Sequence, residues 1–519
     1  MRVRSMVWLA AGGLLAVVAT VGCGNQYQPV ITPIQPTGPA GQPTAYALVT
    51  SEPHYNLLDV PADNPCILNN SDTPPSPQAY TDPGVATLID TSGDSIMNTA
   101  LIGNGPINMG MDPTGGLAYV PNCDGTMSYV EANSTLQTNK IQTSTFLNSY
   151  NGAKAYPVPN NVLAMNGTIF VTEKGHNAIA EMSANAPPAL EQEIPVAPAL
   201  INLVGIDDAQ RIYAISQGNS STGGNLAWGA CSNPSSVNTN GEADGLDLLI
   251  STTNKVTSVA NQSISSRLPL GVCPVYGVMS SNGERAFIMN RGSGTVTVID
   301  AQKNAIDTTN NGYLTGNGTI NLCPGQTSCN AGPVFADVYN NGQLMVTANY
   351  DNNTISVIDI SQDVYGNDSA TFGKILATIP VGEHPAALSI LQSDTDPRVY
   401  VADQGTTSGS GSNLTYNDDG AVTIVNLNND SVIKTISLDM NPREIASVYN
   451  YPTGKVLVAG PNSPFVTVIR TDTDTLDTTI EVQGNITGLR TSTQYAGASS
   501  EVLSNNSIIE SHAPGSGEP

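Results

Sequence analysis

Short runs in which apolar and polar residues alternate occur in pairs along most of the chain. Such alternation predicts strands that turn one face toward a core. The clearest pair is Arg285–Asn290 followed, after a short turn, by Thr295–Asp300. The other seven pairs are 45–49 with 85–90, 117–120 with 126–131, 169–173 with 178–182, 211–216 with 246–250, 344–349 with 354–359, 398–403 with 421–426, and 455–460 with 465–470. Eight such units in tandem indicate a repeat protein.

Two further strands complete each unit. A third strand after each pair ends at proline or glycine, as in 374–382, and a fourth leads into a turn such as 281–284. The tightest spacing, from Asn426 to Arg470, is 44 residues, and a blade of four short strands needs about 40–50. We therefore predict an all-β fold, a single β-propeller with four antiparallel strands per blade. The motif count favours eight blades and leaves seven open.

The repeat resembles the YVTN-type surface-layer propeller family, whose units run through Tyr-Val-Thr-Asn, a turn, Val-Ser-Val-Ile-Asp and Ile-Pro-Val-Gly-x-x-Pro. The matching residues are 345–349, 355–359 and 379–385. The resemblance covers about residues 46–491, departs most in blades three and four, and implies the fold but no particular activity.

The ends of the repeat predict how the ring closes. The first strand, near Ala45, is a middle strand of its blade, whereas the last, 486–491, has the character of an innermost strand. The C-terminal strand would then complete blade one and leave no open edge. The predicted propeller spans residues 44–496, and residues 497–519 form a polar tail.

The N-terminus has the pattern of an export signal over residues 1–22. Arg2 and Arg4 precede the apolar run 6–21, which is shorter than the ~20 residues of a usual spanning helix. Thr20-Val21-Gly22-Cys23 resembles a bacterial lipobox, although the family usually has Leu where Thr20 stands. The resemblance implies lipidation at Cys23, with residues 23–43 as a flexible tether; an uncleaved membrane anchor is the alternative.

Composition narrows the function. The 49 glycines, 35 prolines and only 12% charged residues are typical of many tight turns between short strands. A net charge of −25 disfavours nucleic acid as a partner because it would repel phosphates. The chain has four histidines and no haem-attachment motif, so we predict no cofactor and no metal.

Six cysteines remain besides Cys23, an even number that is plausible for disulfides in an exported protein. Their positions in the predicted loops suggest three pairs: Cys66 with Cys123, Cys231 with Cys273, and Cys323 with Cys329. Buried or free thiols are the alternative.

Long insertions converge on one face of the predicted ring. They are residues 52–84, 218–245, 404–420 and 305–332, and surface loops commonly carry binding functions. Trp228, Tyr416, Asp418 and Asp419 are the candidate binding residues there, although isolated loop aromatics often serve loop packing alone. Acidic residues lack a calcium-loop spacing and are interpreted as solvated turn aspartates; they are Asp244, Asp247, Asp418, Asp419, Asp472 and Asp474.

Two functions compete. The favoured hypothesis is a non-enzymatic, lipid-anchored scaffold in the bacterial cell envelope, which binds a protein or glycan on the insertion face. Gly24 after Cys23 favours the outer membrane or the cell surface, by resemblance only. The alternative is a lactonase- or lyase-type enzyme with a site at the channel mouth. It would need acidic residues near the channel, and Asp207 and Asp337 are the candidates. The histidines, His54, His176, His384 and His512, have no recognisable nucleophile beside them, and His384 is predicted to be structural.

Overall fold

The computed structural model describes most of the predicted propeller. It covers residues 45–492 except 54–67, 70–75, 78–82, 113–114, 124, 132–140, 146–158, 185–187, 207–208, 218–239, 252–255, 259–262, 327–329, 340–341, 392, 394–395, 409–414 and 449–453. The predicted signal peptide, Cys23, the tether and the C-terminal tail lie outside the described residues. None of the described segments is a helix long and apolar enough to span a membrane.

The strands form eight small antiparallel sheets, the blades of a single β-propeller. From the innermost strand outward, blade one consists of Asn485–Thr491, Tyr46–Glu52, Pro83–Asp90 and Ser95–Asn104, and blade two of Gly110–Met111, Leu117–Pro121, Thr126–Glu131 and Ile141–Thr145. Blade three consists of Pro159–Met165, Thr168–Glu173, Ala178–Ser183 and Ala189–Pro195. Blade four consists of Leu200–Val204, Arg211–Ser216 and Asn240–Ile250, with Val256–Ser258 and Ser266–Val272 at its outer edge.

Blades five to eight follow the same order. Blade five consists of Pro274–Met279, Arg285–Asn290 and Thr295–Asp300, with Ala305–Ile306 and Thr319–Asn321 at its outer edge. Blade six consists of Pro333–Tyr339, Leu344–Asn349, Thr354–Asp359 and Ile375–Pro380. Blade seven consists of Pro385–Leu391, Arg398–Asp403, Ala421–Asn426 and Ser431–Ser437, and blade eight of Glu444–Val448, Lys455–Ala459, Phe465–Arg470 and Thr475–Glu481. Two short hairpins, Leu68–Asn69 with Ser76–Pro77 and Thr407–Ser408 with Thr415–Tyr416, stand apart from the blades. The predicted count of eight blades is confirmed.

The C-terminal strand closes the ring as predicted. Tyr46–Glu52 pairs with Pro83–Asp90 on one side and with Asn485–Thr491 on the other. The Ser492 hydroxyl accepts a 2.8 Å hydrogen bond from the amide of Tyr46. Because the innermost strand of blade one comes from the C-terminal part of the propeller, Tyr46–Glu52 is paired on both sides.

Burial explains why the second and third strands carry the clearest pattern. Blades pack face to face, so strands such as Arg285–Asn290 are buried along their whole length, whereas the outer strand Ile375–Pro380 alternates between covered and exposed residues. Aromatic side chains fill the joints between blades. The rings of Tyr276 and Phe335 stack with centroids 4.6 Å apart across blades five and six.

The structure corrects two of the predicted insertions. In blade four the third strand begins at Asn240, so Asp244 and Asp247 are strand residues and the insertion is shorter than 218–245. In blade five, Ala305–Ile306 and Thr319–Asn321 pair with Thr295–Asp300 and form the outer edge of the blade. The segment between them therefore lies at that outer edge rather than on the insertion face. Few apolar residues mark these edge strands, which is why the alternation pattern missed them.

Candidate functional site: the insertion face and a buried glutamate–histidine cluster

The insertion face is the face of the ring that carries the turns between second and third strands and the links from each fourth strand to the next blade. The antiparallel order of the strands places all these connections at one end of every blade. The described hairpin Thr407–Ser408 with Thr415–Tyr416 stands there on blade seven. Trp228 lies outside the described residues.

The blade-seven hairpin is fastened to the ring by the aspartates that follow it. The backbone amide of Thr406 donates to Asp419 Oδ1 at 2.7 Å, and the side-chain amide of Asn462 donates to Asp418 Oδ1 at 2.7 Å. Burial tends to raise the pKa of Asp419, but hydrogen bonds from the side chain and amide of Thr406 outweigh it and hold that pKa below its usual value. Both aspartates remain exposed, whereas Tyr416 is only 8% exposed. The hairpin thus presents polar groups in a fixed place.

Two of the predicted turn aspartates are buried ion-pair partners instead. Asp244 is fully buried and accepts hydrogen bonds from Arg267 Nε at 2.7 Å and from the amide of Ala197 at 2.5 Å. Asp474 receives the Arg398 guanidinium and, at 2.6 Å, the Tyr400 hydroxyl. The prediction of solvated turns is wrong for these two because their partners come from other strands.

The other two aspartates of this group also have arginine partners. Asp247 lies 2.5 Å from Arg211 Nε, and its side chain is 35% exposed. Asp472 lies 2.6 Å from Arg470 Nη2, with 43% of its side chain exposed, as expected of a turn residue.

The three described cysteines, Cys123, Cys273 and Cys323, are all buried. Cys66, Cys231 and Cys329, their predicted partners, lie outside the described residues. The predicted pairing therefore stays a prediction.

The acidic residues described near the channel form hydrogen bonds and ion pairs within the ring. Asp337 lies on the innermost strand of blade six, is 3% exposed, and accepts hydrogen bonds from the backbone amides of Val338, at 2.7 Å, and Ile390. Burial raises its pKa to about 7. Glu444 of blade eight receives Arg490 Nη1 at 2.8 Å, and burial raises the pKa of Glu444 although Arg490 opposes the shift. Asp207 lies outside the described residues, so the predicted pairing of Asp207 with Asp337 in one site stays a prediction.

His384 has structural contacts within the ring, in agreement with the predicted structural role. Its Nδ1 lies 2.8 Å from the carbonyl oxygen of Gly405, and its ring stacks on Tyr350 with centroids 4.6 Å apart. The Arg291 guanidinium lies over the Tyr350 ring, 4.7 Å from the ring centroid.

A cluster that the sequence analysis missed lies in blade three. Glu173 ends the second strand, His176 lies in the turn that follows, and Glu193 is on the fourth strand opposite Ala180. His176 Nδ1 lies 3.0 Å from Glu173 Oε2 and 3.3 Å from Glu193 Oε1. The side chains are only 0% (Glu173), 2% (His176) and 7% (Glu193) exposed. Among the described residues this is the group of acidic, cysteine and histidine side chains whose geometry would suit a metal ion.

Two observations describe the electrostatics of the cluster. Burial, together with the neighbouring Glu193 carboxylate, raises the pKa of Glu173 to about 7, although the hydrogen bond with His176 acts the other way. Glu173 Oε1 is buried and accepts no hydrogen bond from the described residues. A buried carboxylate oxygen without a donor is costly.

Equivalent positions of other blades hold a different arrangement. At the end of the second strand, Asn349 of blade six donates to the hydroxyls of Thr354, at 3.0 Å, and Ser356, at 2.8 Å. Asn290 of blade five bonds Thr295 and Thr297 in the same way, and Asn122 of blade two bonds Thr126 and Ser128. In blade three the hydroxyl positions are Ala178 and Ala180. Aligning the repeats on these positions would have exposed the cluster from sequence.

Comparison with known proteins places the chain among β-propellers. No family model and no curated protein matches the sequence. Among solved structures, the dihydro-heme d1 dehydrogenase NirN, in complex with DHE, has a TM-score of 0.53 at 11% identity and covers 88% of this chain and 77% of its own. This similarity shows the fold alone.

Two other propellers cover nearly all of their own length. AztD from Citrobacter koseri has a TM-score of 0.49 at 14% identity, covering 86% of this chain and 98% of its own. The periplasmic gluconolactonase PpgL of Pseudomonas aeruginosa has a TM-score of 0.47 at 12% identity, covering 86% and 99%. The class defined by fold and comparison is an eight-bladed β-propeller. The YVTN-type resemblance rests on the sequence motifs and stays a prediction.

Proposed function

We propose that this protein is an exported, lipid-anchored β-propeller of the YVTN type that binds a protein or glycan partner through its insertion face. The observation that carries the proposal is the blade-seven hairpin, which projects from that face and is held by Asp418 and Asp419. A hairpin base that is fixed by hydrogen bonds in this way loses little conformational freedom on binding. A net charge of −25 favours an uncharged or basic partner over nucleic acid.

Export is supported by the N-terminal pattern and by the cysteines. The six cysteines besides Cys23 are an even number, Cys123, Cys273 and Cys323 are buried, and disulfides persist mainly in oxidising compartments. We propose that the pairs are those predicted, with Cys66, Cys231 and Cys329. Peptide mapping of the non-reduced protein by mass spectrometry tests the pairing, and a different set of linked peptides would replace it.

The membrane anchor is tested separately. Changing Cys23→Ala should release the protein from membranes and abolish globomycin-sensitive processing, because the thiol that would carry the lipid is gone. A variant that keeps residues 1–22 and stays in the membrane fraction would instead identify an uncleaved anchor.

The binding face is tested by two matched changes. Replacing residues 407–416 with a short Gly-Ser turn should abolish binding to immobilised envelope glycans or envelope proteins and leave the melting temperature nearly unchanged, since loop length affects closure entropy only slowly. The control changes Val364→Ser and Tyr365→Ser, which are 94% and 83% exposed on the turn between third and fourth strands, at the opposite end of a blade. Loss of binding in the control alone would contradict the proposal.

The lactonase- or lyase-type alternative makes a different prediction from the same protein. It requires turnover of a lactone or uronate substrate that falls when Asp337→Asn is introduced. Turnover that depends on Asp337, together with binding indifferent to the hairpin, would replace the scaffold proposal.

A further inference from the structure

We propose that Glu173, His176 and Glu193 form a binding site for a single divalent transition-metal ion, with Zn²⁺ as the best-suited ion. The three ligand atoms lie within 4.8 Å of one another, and all three side chains are nearly buried on one blade. This assignment is independent of the partner-binding role proposed above.

The distances suit one small cation. In a tetrahedral site with metal–ligand bonds of about 2.0–2.1 Å, neighbouring ligand atoms lie about 3.3 Å apart. Nδ1 of His176 already lies 3.0 Å from Glu173 Oε2 and 3.3 Å from Glu193 Oε1. An ion among these atoms would need little movement of the side chains.

Hydrogen bonding alone leaves the cluster unsatisfied. The single Nδ1–H of His176 faces two carboxylates, and Glu173 Oε1 accepts no hydrogen bond from any described residue although its side chain is 0% exposed. Two buried carboxylates that share one donor repel each other, and a cation between them would reverse that repulsion. The alternative is a proton held between the carboxylates.

Three other blades have uncharged residues at the positions of Ala180 and Glu193. Across the equivalent pair of strands, Ser356 faces Thr378 in blade six, Thr423 faces Thr435 in blade seven, and Thr467 faces Thr479 in blade eight. Blade three has Ala180 opposite Glu193. The small alanines leave room for the longer glutamates, so the change affects several positions together.

Blade four shows what a purely structural charged version looks like. At the equivalent pair of positions, Asp244 faces Arg267, with Nε of the arginine 2.7 Å from Oδ1 of the aspartate. That pair balances its own charge. Blade three has a second acid, Glu193, at the position of Arg267 in blade four. A bound cation would balance the charge of its cluster.

The donor set selects the ion. Two carboxylate oxygens and one imidazole nitrogen suit Zn²⁺ and its first-row neighbours, whereas Ca²⁺ takes six to eight oxygens and Mg²⁺ keeps several waters. Three protein ligands leave at least one coordination position for water or for a ligand atom of a bound partner. The turn that contains His176 is on the insertion face, and Gly175 in that turn is exposed.

The test uses the mature protein, treated with EDTA and then titrated with ZnCl₂ by calorimetry, with Co²⁺ absorption as a second probe. Wild type should bind one equivalent at this site and show a Co²⁺ spectrum of low coordination number. Glu193→Gln should bind at least about tenfold more weakly, because even outer-shell changes cost about 10–100-fold. The matched control is Glu481→Gln, which removes the same charge from the exposed fourth strand of blade eight and should bind as wild type.

A second variant protects the test against misfolding. Combining Glu173→Asn, Ala178→Thr, Ala180→Ser and Glu193→Thr gives blade three the pattern of blade six, so it should fold and bind no Zn²⁺ at this site. Undiminished stoichiometry and affinity in this folded variant, or no Zn²⁺ binding by wild type, would overturn the assignment in favour of the shared proton.

Discussion

Blades three and six use the same positions of one repeat for different chemistry. In blade six, Asn349 bridges the second and third strands through two hydroxyls, and every group in the bridge is neutral. In blade three, Glu173 meets alanines on the third strand and instead faces His176 and, across the third strand, Glu193. Blade six shows that a neutral bridge can join these strands, whereas blade three has two buried carboxylates and a histidine in the same region.

The largest expected effect comes from breaking the neutral bridge. Asn349→Ala leaves the hydroxyls of half-buried Thr354 and buried Ser356 without the amide donor and should lower the free energy of unfolding by about 2–3 kcal/mol. Chemical denaturation measures this loss. A change below about 0.5 kcal/mol would mean that the bridge does not stabilise the blade, and the comparison with blade three would fail.

The pH dependence of stability measures the effect of Asp337, the buried acid of blade six, separately from that of the Asn349 bridge. Burial raises the pKa of Asp337 in the folded state to about 7 from its usual 3.8. Between these values the folded protein holds a proton that the unfolded chain has released, so this group lowers stability as the pH rises.

Replacing that acid should therefore change the pH dependence in one direction. The stability of Asp337→Asn relative to wild type should increase between pH 5 and pH 8 by on the order of 2 kcal/mol. Thermal melts at both values check this. A relative stability that stays constant, or that favours wild type at the higher pH, would show that Asp337 is ionised in the folded state.

Converting blade three to the blade-six pattern should have a smaller effect on stability. The quadruple variant described above replaces two buried carboxylates with an amide–hydroxyl bridge. It should be as stable as metal-free wild type or up to about 1 kcal/mol more stable. Denaturation in EDTA measures the difference. A loss of several kcal/mol would mean that the glutamates themselves hold the blade together.

The smallest expected change is that of His176→Asn. Asn352 occupies the equivalent place in the turn of blade six, and the next residue has positive φ in both turns, 49° at Asn177 and 59° at Asn353. The backbone can therefore accept the change, and metal-free stability should stay within about 0.5–1 kcal/mol of wild type. The rise in melting temperature that Zn²⁺ gives wild type should disappear, and its persistence would exclude the imidazole as a ligand.

Sequence was sufficient for the ring because the ring depends on a pattern that repeats. Eight copies of alternating apolar residues average out the weak ones, and the terminal strands 45–49 and 486–491 predicted the closure that the structure shows. The edge strands of blade five were missed because they are only two and three residues long, too short to show an apolar period.

The candidate site could not be recognised in the same way. Glu173 and Glu193 are 20 residues apart on strands that meet only through Ala178–Ser183, and no known motif joins them to His176. Asp244 and Asp474 were misjudged for the same reason, since Arg267 and Arg398 approach them from distant parts of the sequence. Pairwise contacts of this kind follow from strand register, which a single sequence specifies only weakly.

The closing strand also sets the timing of biogenesis. Blade one cannot gain its innermost strand until residues 485–491 have been synthesised and, if the chain is exported, delivered across the membrane. Until then Tyr46–Glu52 keeps an open edge to which other chains can add. A ribosome that stalls anywhere short of this strand leaves a product that cannot complete the ring, so ring closure depends on synthesis of the chain through residue 491.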